Sequence, residues 1–114
     1  VQGNYGVRDS SPGFAGSFDR ITSMVEADGA LYFVESWAHV VRSLDLTTGV
    51  LTTIAGAAYE SGSVDGTGTS ARFNNPRYIA TDGAYLYISD QMNTAIRKVD
   101  LFDNSVTTLV GTPM

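Results

Sequence analysis

Apolar residues in this chain come in short alternating runs. Ser23 to Ala27, Leu31 to Val34, Val40 to Leu44 and Leu51 to Ala55 form one set. Tyr78 to Thr81, Tyr85 to Ser89, Ala95 to Val99 and Val106 to Val110 form a second. None reaches the roughly 10 to 12 residues that favour a helix, and period-two alternation is the mark of a strand. The breaks between runs are turn chemistry. Asp28-Gly29 and Asp82-Gly83 supply the positive φ of tight hairpins, and Thr47-Thr48-Gly49 and Asp103-Asn104 mark the next turn of each set. The pattern predicts an all-β chain of two four-stranded antiparallel meanders.

The two sets are one pattern written twice. Leu31 to Gly56 reads LYFVESWAHVVRSLDLTTGVLTTIAG, and Leu86 to Gly111 reads LYISDQMNTAIRKVDLFDNSVTTLVG, at a constant offset of 55 residues. Leu31/Leu86, Tyr32/Tyr87, Arg42/Arg97, Asp45/Asp100, Thr52/Thr107, Thr53/Thr108 and Gly56/Gly111 coincide, while Glu35/Asp90 and Val41/Ile96 exchange like for like. Repetition at such a period signals solenoids, propellers and arrays, whose units cannot bury their apolar faces alone. The Gly- and Ser-rich stretch from Ala57 to Pro76 has a counterpart in Gly6 to Ile21, in register after a one-residue gap, so each unit is a linker followed by four strands. The division falls at residues 1–56 and 57–114.

Asp65 to Gly111 resembles the NHL repeat, a blade of six-bladed β-propellers. The residues carrying the resemblance are Phe73, Pro76, Ile79, Asp82, Gly83, Leu86, Tyr87, Asp90, Ile96, Arg97, Val99, Asp100 and Gly111. The first repeat is similar but departs from the pattern at Ile21, Glu35 and Trp37-Ala38-His39. The resemblance implies propeller blades. For function it implies a range, because NHL-like propellers serve as protein, RNA and ligand scaffolds and less often as enzymes.

Propellers close with about 4 to 8 blades, so two blades leave apolar faces in water. Either a longer parent chain supplies the missing blades or copies of this chain do so in cyclic symmetry. With six blades per ring the expected assembly is a homo-oligomer of three chains, ahead of dimer and tetramer rings. A fragment of a larger propeller with a lyase- or hydrolase-like site, or an engineered fragment, is the rival reading.

Charge and composition narrow the partners. The 114 residues carry a formal net charge of −5, with Lys98 as the one lysine, which argues against nucleic acid or an anionic membrane as a partner. No run approaches the roughly 20 apolar residues of a membrane span. The chain contains no cysteine, which removes disulfides and thiol chemistry. It begins at Val1 with no leader pattern, the expectation for a mature, trimmed or cut chain. Compartment stays open, with a lean towards an extracytoplasmic one.

Antiparallel strands send alternate loops to opposite rims. Trp37, His39, Met92, Asn93, Arg20, Arg77 and Asp65 are thereby expected near one rim, which becomes the binding candidate for a protein or small molecule. Trp37 and Met92 are more apolar than a solvated turn requires, and aromatic anchors dominate recognition. The competing expectation for Trp37 is that it folds over a neighbouring blade or a subunit contact. His39 is the one histidine and cannot assemble a zinc site within the chain. Asp65-Gly66-Thr67-Gly68-Thr69 lacks the glutamate of a calcium loop, because Pro76 stands at that position. Arg42 and Arg97, with Glu35 and Asp90, recur in both repeats and so read as structural pairs. The sequence thus predicts a binding or scaffold module with no catalytic set, no metal and no cofactor.

Overall fold

The computed structural model of the chain describes residues 6–111. Residues 1–5 and 112–114, at the outer ends of the two expected units, lie outside the described residues. The first sheet comprises β1 (Ile21–Ala27), β2 (Ala30–Glu35), β3 (Val40–Asp45) and β4 (Leu51–Ala55), antiparallel and in chain order. The second comprises β5 (Gly66–Thr67), β6 (Pro76–Thr81), β7 (Tyr85–Asp90), β8 (Ala95–Asp100) and β9 (Ser105–Val110), in the order β5-β9-β8-β7-β6. Eight of these strands fall on the runs read from the sequence. Registers repeat as well: Leu31 faces Leu44 as Leu86 faces Val99, and the third strand slips at Val41/Arg42 in one blade and at Ile96/Arg97 in the other.

The second sheet has five strands where four were expected. Gly66 and Thr67, inside the linker, pair with Val106 and Ser105 at the start of β9, and a 3-10 turn follows over Gly68–Ser70. The fourth strand of this blade is therefore covered at its first two residues, Ser105 and Val106. Two residues are too few to show alternation, which is why the strand has no signature in the sequence. In the first blade Ser10 takes the corresponding place. Its N–H donates to the Leu51 carbonyl at 2.9 Å, and its hydroxyl accepts from the Leu51 N–H at 2.8 Å.

Strand alternation gives each blade two faces. Val34, Val41, Ile54 and Ala55 of the first blade pack on Phe73, Ile79, Leu86, Ile88, Val99 and Val106 of the second, forming the core. Burying one such side chain contributes about 1.5–3 kcal/mol. The inner strands β1 and β6 lie against each other. Hydrogen bonds cross the same seam, among them Ser36 Oγ to Pro76 O at 2.6 Å, Thr22 Oγ1 to Arg77 O at 2.9 Å, Ile79 N to Ser23 Oγ at 3.3 Å, and Asn75 N to His39 Nδ1 at 3.0 Å.

A buried guanidinium fastens each linker to its own blade. Arg97 on β8 donates to Asp90 Oδ2 (2.7 Å) and Asp65 Oδ1 (3.0 Å), and also to the Arg72 and Val64 carbonyls, both at 2.9 Å. Arg42 on β3 does the same with Glu35, Asp9, Ser17 O and Arg8 O at 2.8 to 3.0 Å. Both guanidinium side chains are almost wholly buried, a position a cation tolerates when carboxylates meet its charge; the two terminal nitrogens of each are bonded, while the Nε of each has no hydrogen-bond partner among the described residues. The carboxylates also hold the linker's end, because Asp90 accepts the Asn74 N–H as Glu35 accepts the Asp19 N–H. This agrees with the structural role expected for the repeated acid and arginine positions.

Candidate functional site

The rim that carries the β2–β3 and β7–β8 loops also receives the linkers entering β1 and β6. Each of these loops is closed by a residue in the left-handed region, His39 (φ 63°) and Thr94 (φ 50°), and a glycine packs on its carbonyl. An added Cβ would stand 2.5 Å from the His39 oxygen at Gly56 and 2.6 Å from the Thr94 oxygen at Gly111. Glycine is required there both for φ and for space.

Trp37 stands out from this rim, with 58 % of its surface exposed. The Arg20 guanidinium lies 4.1 Å from the centre of its ring, a cation–π stack that covers one face of the indole. Met92, at the equivalent loop of the second blade, is also exposed, with its N–H bound to the Asn74 carbonyl at 3.0 Å. Arg77 is exposed at the start of β6, its guanidinium 5.9 Å from the Tyr78 ring centre.

Three other candidates serve the scaffold. Asn93 turns inward, its amide donating to Asp90 Oδ2 at 2.7 Å and to the Gly62 carbonyl at 2.8 Å. The first blade has Ala38 at that position and the longer Glu35 in place of Asp90, so the departures of that repeat are linked. His39 accepts the Asn75 N–H and so belongs to the seam between blades. Burial lowers its pKa below the usual histidine value, and the nearby Asp90 charge opposes the shift. Asp65 lies at the outer edge, accepting from Thr108 Oγ1 at 2.8 Å as well as from Arg97. Trp37, Arg20, Met92 and Arg77 are what the rim leaves open to a ligand.

Tyr59 was not singled out by sequence reasoning, yet it flanks this rim. Its N–H donates to the Ala38 carbonyl at 2.8 Å and its hydroxyl to Asp19 Oδ2 at 2.9 Å. Burial, followed by that hydrogen bond, pushes its pKa up to about 12. An aromatic residue in a Gly/Ser linker is the signal that could have found it. Among the described residues no group of three or more His, Cys, Asp or Glu could hold a metal ion. The rim offers an exposed aromatic ring, a thioether and two guanidinium groups, which is recognition chemistry for flat or apolar groups and for anions.

No protein-family model matches the chain. It is 40 % identical over 62 residues to NHL repeat-containing protein 2 of Gallus gallus, covering 54 % of this chain and 8 % of that protein. The Bos taurus protein of the same name is 32 % identical over 78 residues, covering 67 % of this chain and 11 % of that protein. The chain thus spans about a tenth of the curated relatives it matches. Among solved structures, a Bacteroides thetaiotaomicron protein of unknown function aligns with a TM-score of 0.72 and 32 % identity, over 81 % of this chain and 24 % of its own. An auxiliary nutrient binding protein of the same species aligns with a TM-score of 0.61 and 26 % identity, over 73 % and 23 %. A third chain from that species, provisionally named a phosphatase, aligns with a TM-score of 0.57 at 26 % identity, over 70 % and 20 %. In sequence and in fold alike, the chain fits the NHL-repeat β-propeller family.

Proposed function

We propose that the chain is a non-catalytic binding or scaffold module. Its ligand, a protein segment or a small molecule, engages the rim that carries Trp37, Arg20, Met92 and Arg77. The observation that carries this reading is the exposed indole of Trp37, stacked on one face by the Arg20 guanidinium and largely open on the rest of its surface. The neighbour named as a nutrient binding protein supports a binding role. Among the described residues the acid–arginine pairs that recur in both blades hold linkers, which supports the binding reading over the one suggested by the provisional phosphatase name. Among the described residues no helix is long and apolar enough to cross a membrane, and a nutrient-binding neighbour favours an extracytoplasmic location.

The module works within a closed ring. Sister copies supply the missing blades, three chains giving six. The rival is a longer polypeptide that supplies them itself, favoured by the much greater length of the relatives. The binding role is tested by screening peptides, oligosaccharides and organic acids by thermal shift, followed by titration of Trp37 fluorescence. Binders whose affinity falls at least tenfold in Trp37→Ala and in Arg20→Ala support the reading. Binders indifferent to both changes refute the rim as the site.

A further inference from the structure

The two outward faces of the pair are the two halves of its internal seam. Residues 55 positions apart occupy equivalent places, so the outer face of the first blade repeats the face by which the second blade is covered. Phe18 corresponds to Phe73 and Met24 to Ile79. Phe73 is fully buried by the first blade, whereas Phe18 is 53 % exposed. With Leu31, Phe33, Leu44 and Leu51, these residues line an apolar groove of about 310 Å³. The outer face of the second blade in turn repeats the face by which the first covers it. Ile54 is 8 % exposed inside the seam, and its counterpart Leu109 is 52 % exposed outside it. Tyr78, Ala80, Tyr87, Ser89 and Ile96 line a shallow depression on that side.

We infer that the groove on the first blade of one copy receives the outer face of the second blade of another, so that copies join head to tail through a contact equivalent to the internal seam. This rests on the reading that sister copies complete the ring, and adds which faces meet. A socket and its plug on opposite sides of one chain form a heterologous contact, which closes into a ring when the rotation permits. Two features favour a second copy as the occupant. The socket is already known to fit a face of this kind, because its equivalent on the second blade is filled by one. The plug presents Ile96, Leu109 and Val110 where the internal plug presents Val41, Ile54 and Ala55, so the joint is apolar on both sides.

The polar rim of the joint differs from that of the seam. Gln91, Thr94, Arg77 and Tyr78 stand where Ser36, His39, Thr22 and Ser23 make the internal hydrogen bonds. Gln91 can donate as Ser36 does, and Thr94 already holds the left-handed turn that His39 holds. The joint therefore keeps the left-handed turn of the seam, with bulkier polar side chains at its rim and no histidine.

The test uses two charge variants at exposed positions, Met24→Asp in the socket and Ile96→Asp in the plug, with mass read by light scattering and folding by circular dichroism. The unaltered chain is expected at about three times its 12.1 kDa mass. Each variant alone is expected to be monomeric, and an equimolar mixture is expected to give a two-chain complex and nothing larger, because one sound socket meets one sound plug. If either variant unfolds, Phe18→Ser and Tyr78→Ser replace them. A variant that still dimerises with itself would show like faces meeting and overturn the head-to-tail joint while leaving self-assembly standing. An unaltered chain that stays monomeric at high concentration would overturn self-assembly, and the joint with it.

Discussion

The imidazole Nδ1 of His39 accepts the backbone N–H of Asn75 at 3.0 Å, tying the β2–β3 loop of the first blade to the strand entry of the second. Only an unprotonated Nδ1 can accept, so this bond requires the neutral ring.

Acid should loosen the seam at this point. The folded pKa of His39 is lowered, so in the window at and just below its ordinary value of 6.5 the unfolded chain binds more protons than the folded one. The contribution is present above pH 6.5 and is lost as pH falls through the folded value. Urea midpoints at pH 7.5 and pH 5.0 measure it. His39→Asn, which tolerates the left-handed turn, should show a smaller difference between the two midpoints than the unaltered chain. An equal difference in both would assign the acid response to the carboxylates.

Removing Arg97 should be among the most damaging single changes. Arg97→Met leaves Asp90 buried without its cation and frees two linker carbonyls, a loss of about 3–5 kcal/mol. Arg97→Lys should recover only a small part, because one ammonium cannot reach four acceptors set as a fork. Chemical denaturation checks both. A lysine variant as stable as the parent would show that charge alone matters.

Glycines of the two turn types should separate cleanly. Gly29 has a φ of 82° and open space around its Cβ position, so Gly29→Ala should cost about 1–2 kcal/mol from backbone strain. Gly56→Ala adds a contact 2.5 Å from the His39 oxygen and should cost clearly more. Thermal unfolding of the two variants side by side gives the comparison.

Much of this was legible in the sequence because the structure repeats. Eight strands showed as alternating runs, and a group needed in both blades, such as Arg42/Arg97, declared itself structural by recurring. What stayed hidden was of two kinds. Gly66–Thr67 is too short to alternate. The roles of His39, Asn93 and Asp65 depend on backbone groups or side chains about 30 to 45 residues away, Asn75, Gly62 and Thr108, with which no local pattern connects them. Trp37 was legible as an outlier in a turn, but its posture required knowing that Arg20 sits over it.

That posture has its own measurable sign. Trp37 is the one tryptophan, so emission reports the rim alone. A red-shifted maximum and ready acrylamide quenching are expected, and Arg20→Ala should increase the quenching while changing stability by no more than about 1 kcal/mol. A blue-shifted, protected indole would place it inside a contact.

The buried guanidinium of each blade reaches back only into the linker that precedes it. A stretch of gene copied at this period would carry strap, anchor and sheet together, and the newcomer's strap would be fastened by its own arginine with no group taken from its predecessor. Blade number can then change by duplication or loss while every remaining unit keeps its own restraint.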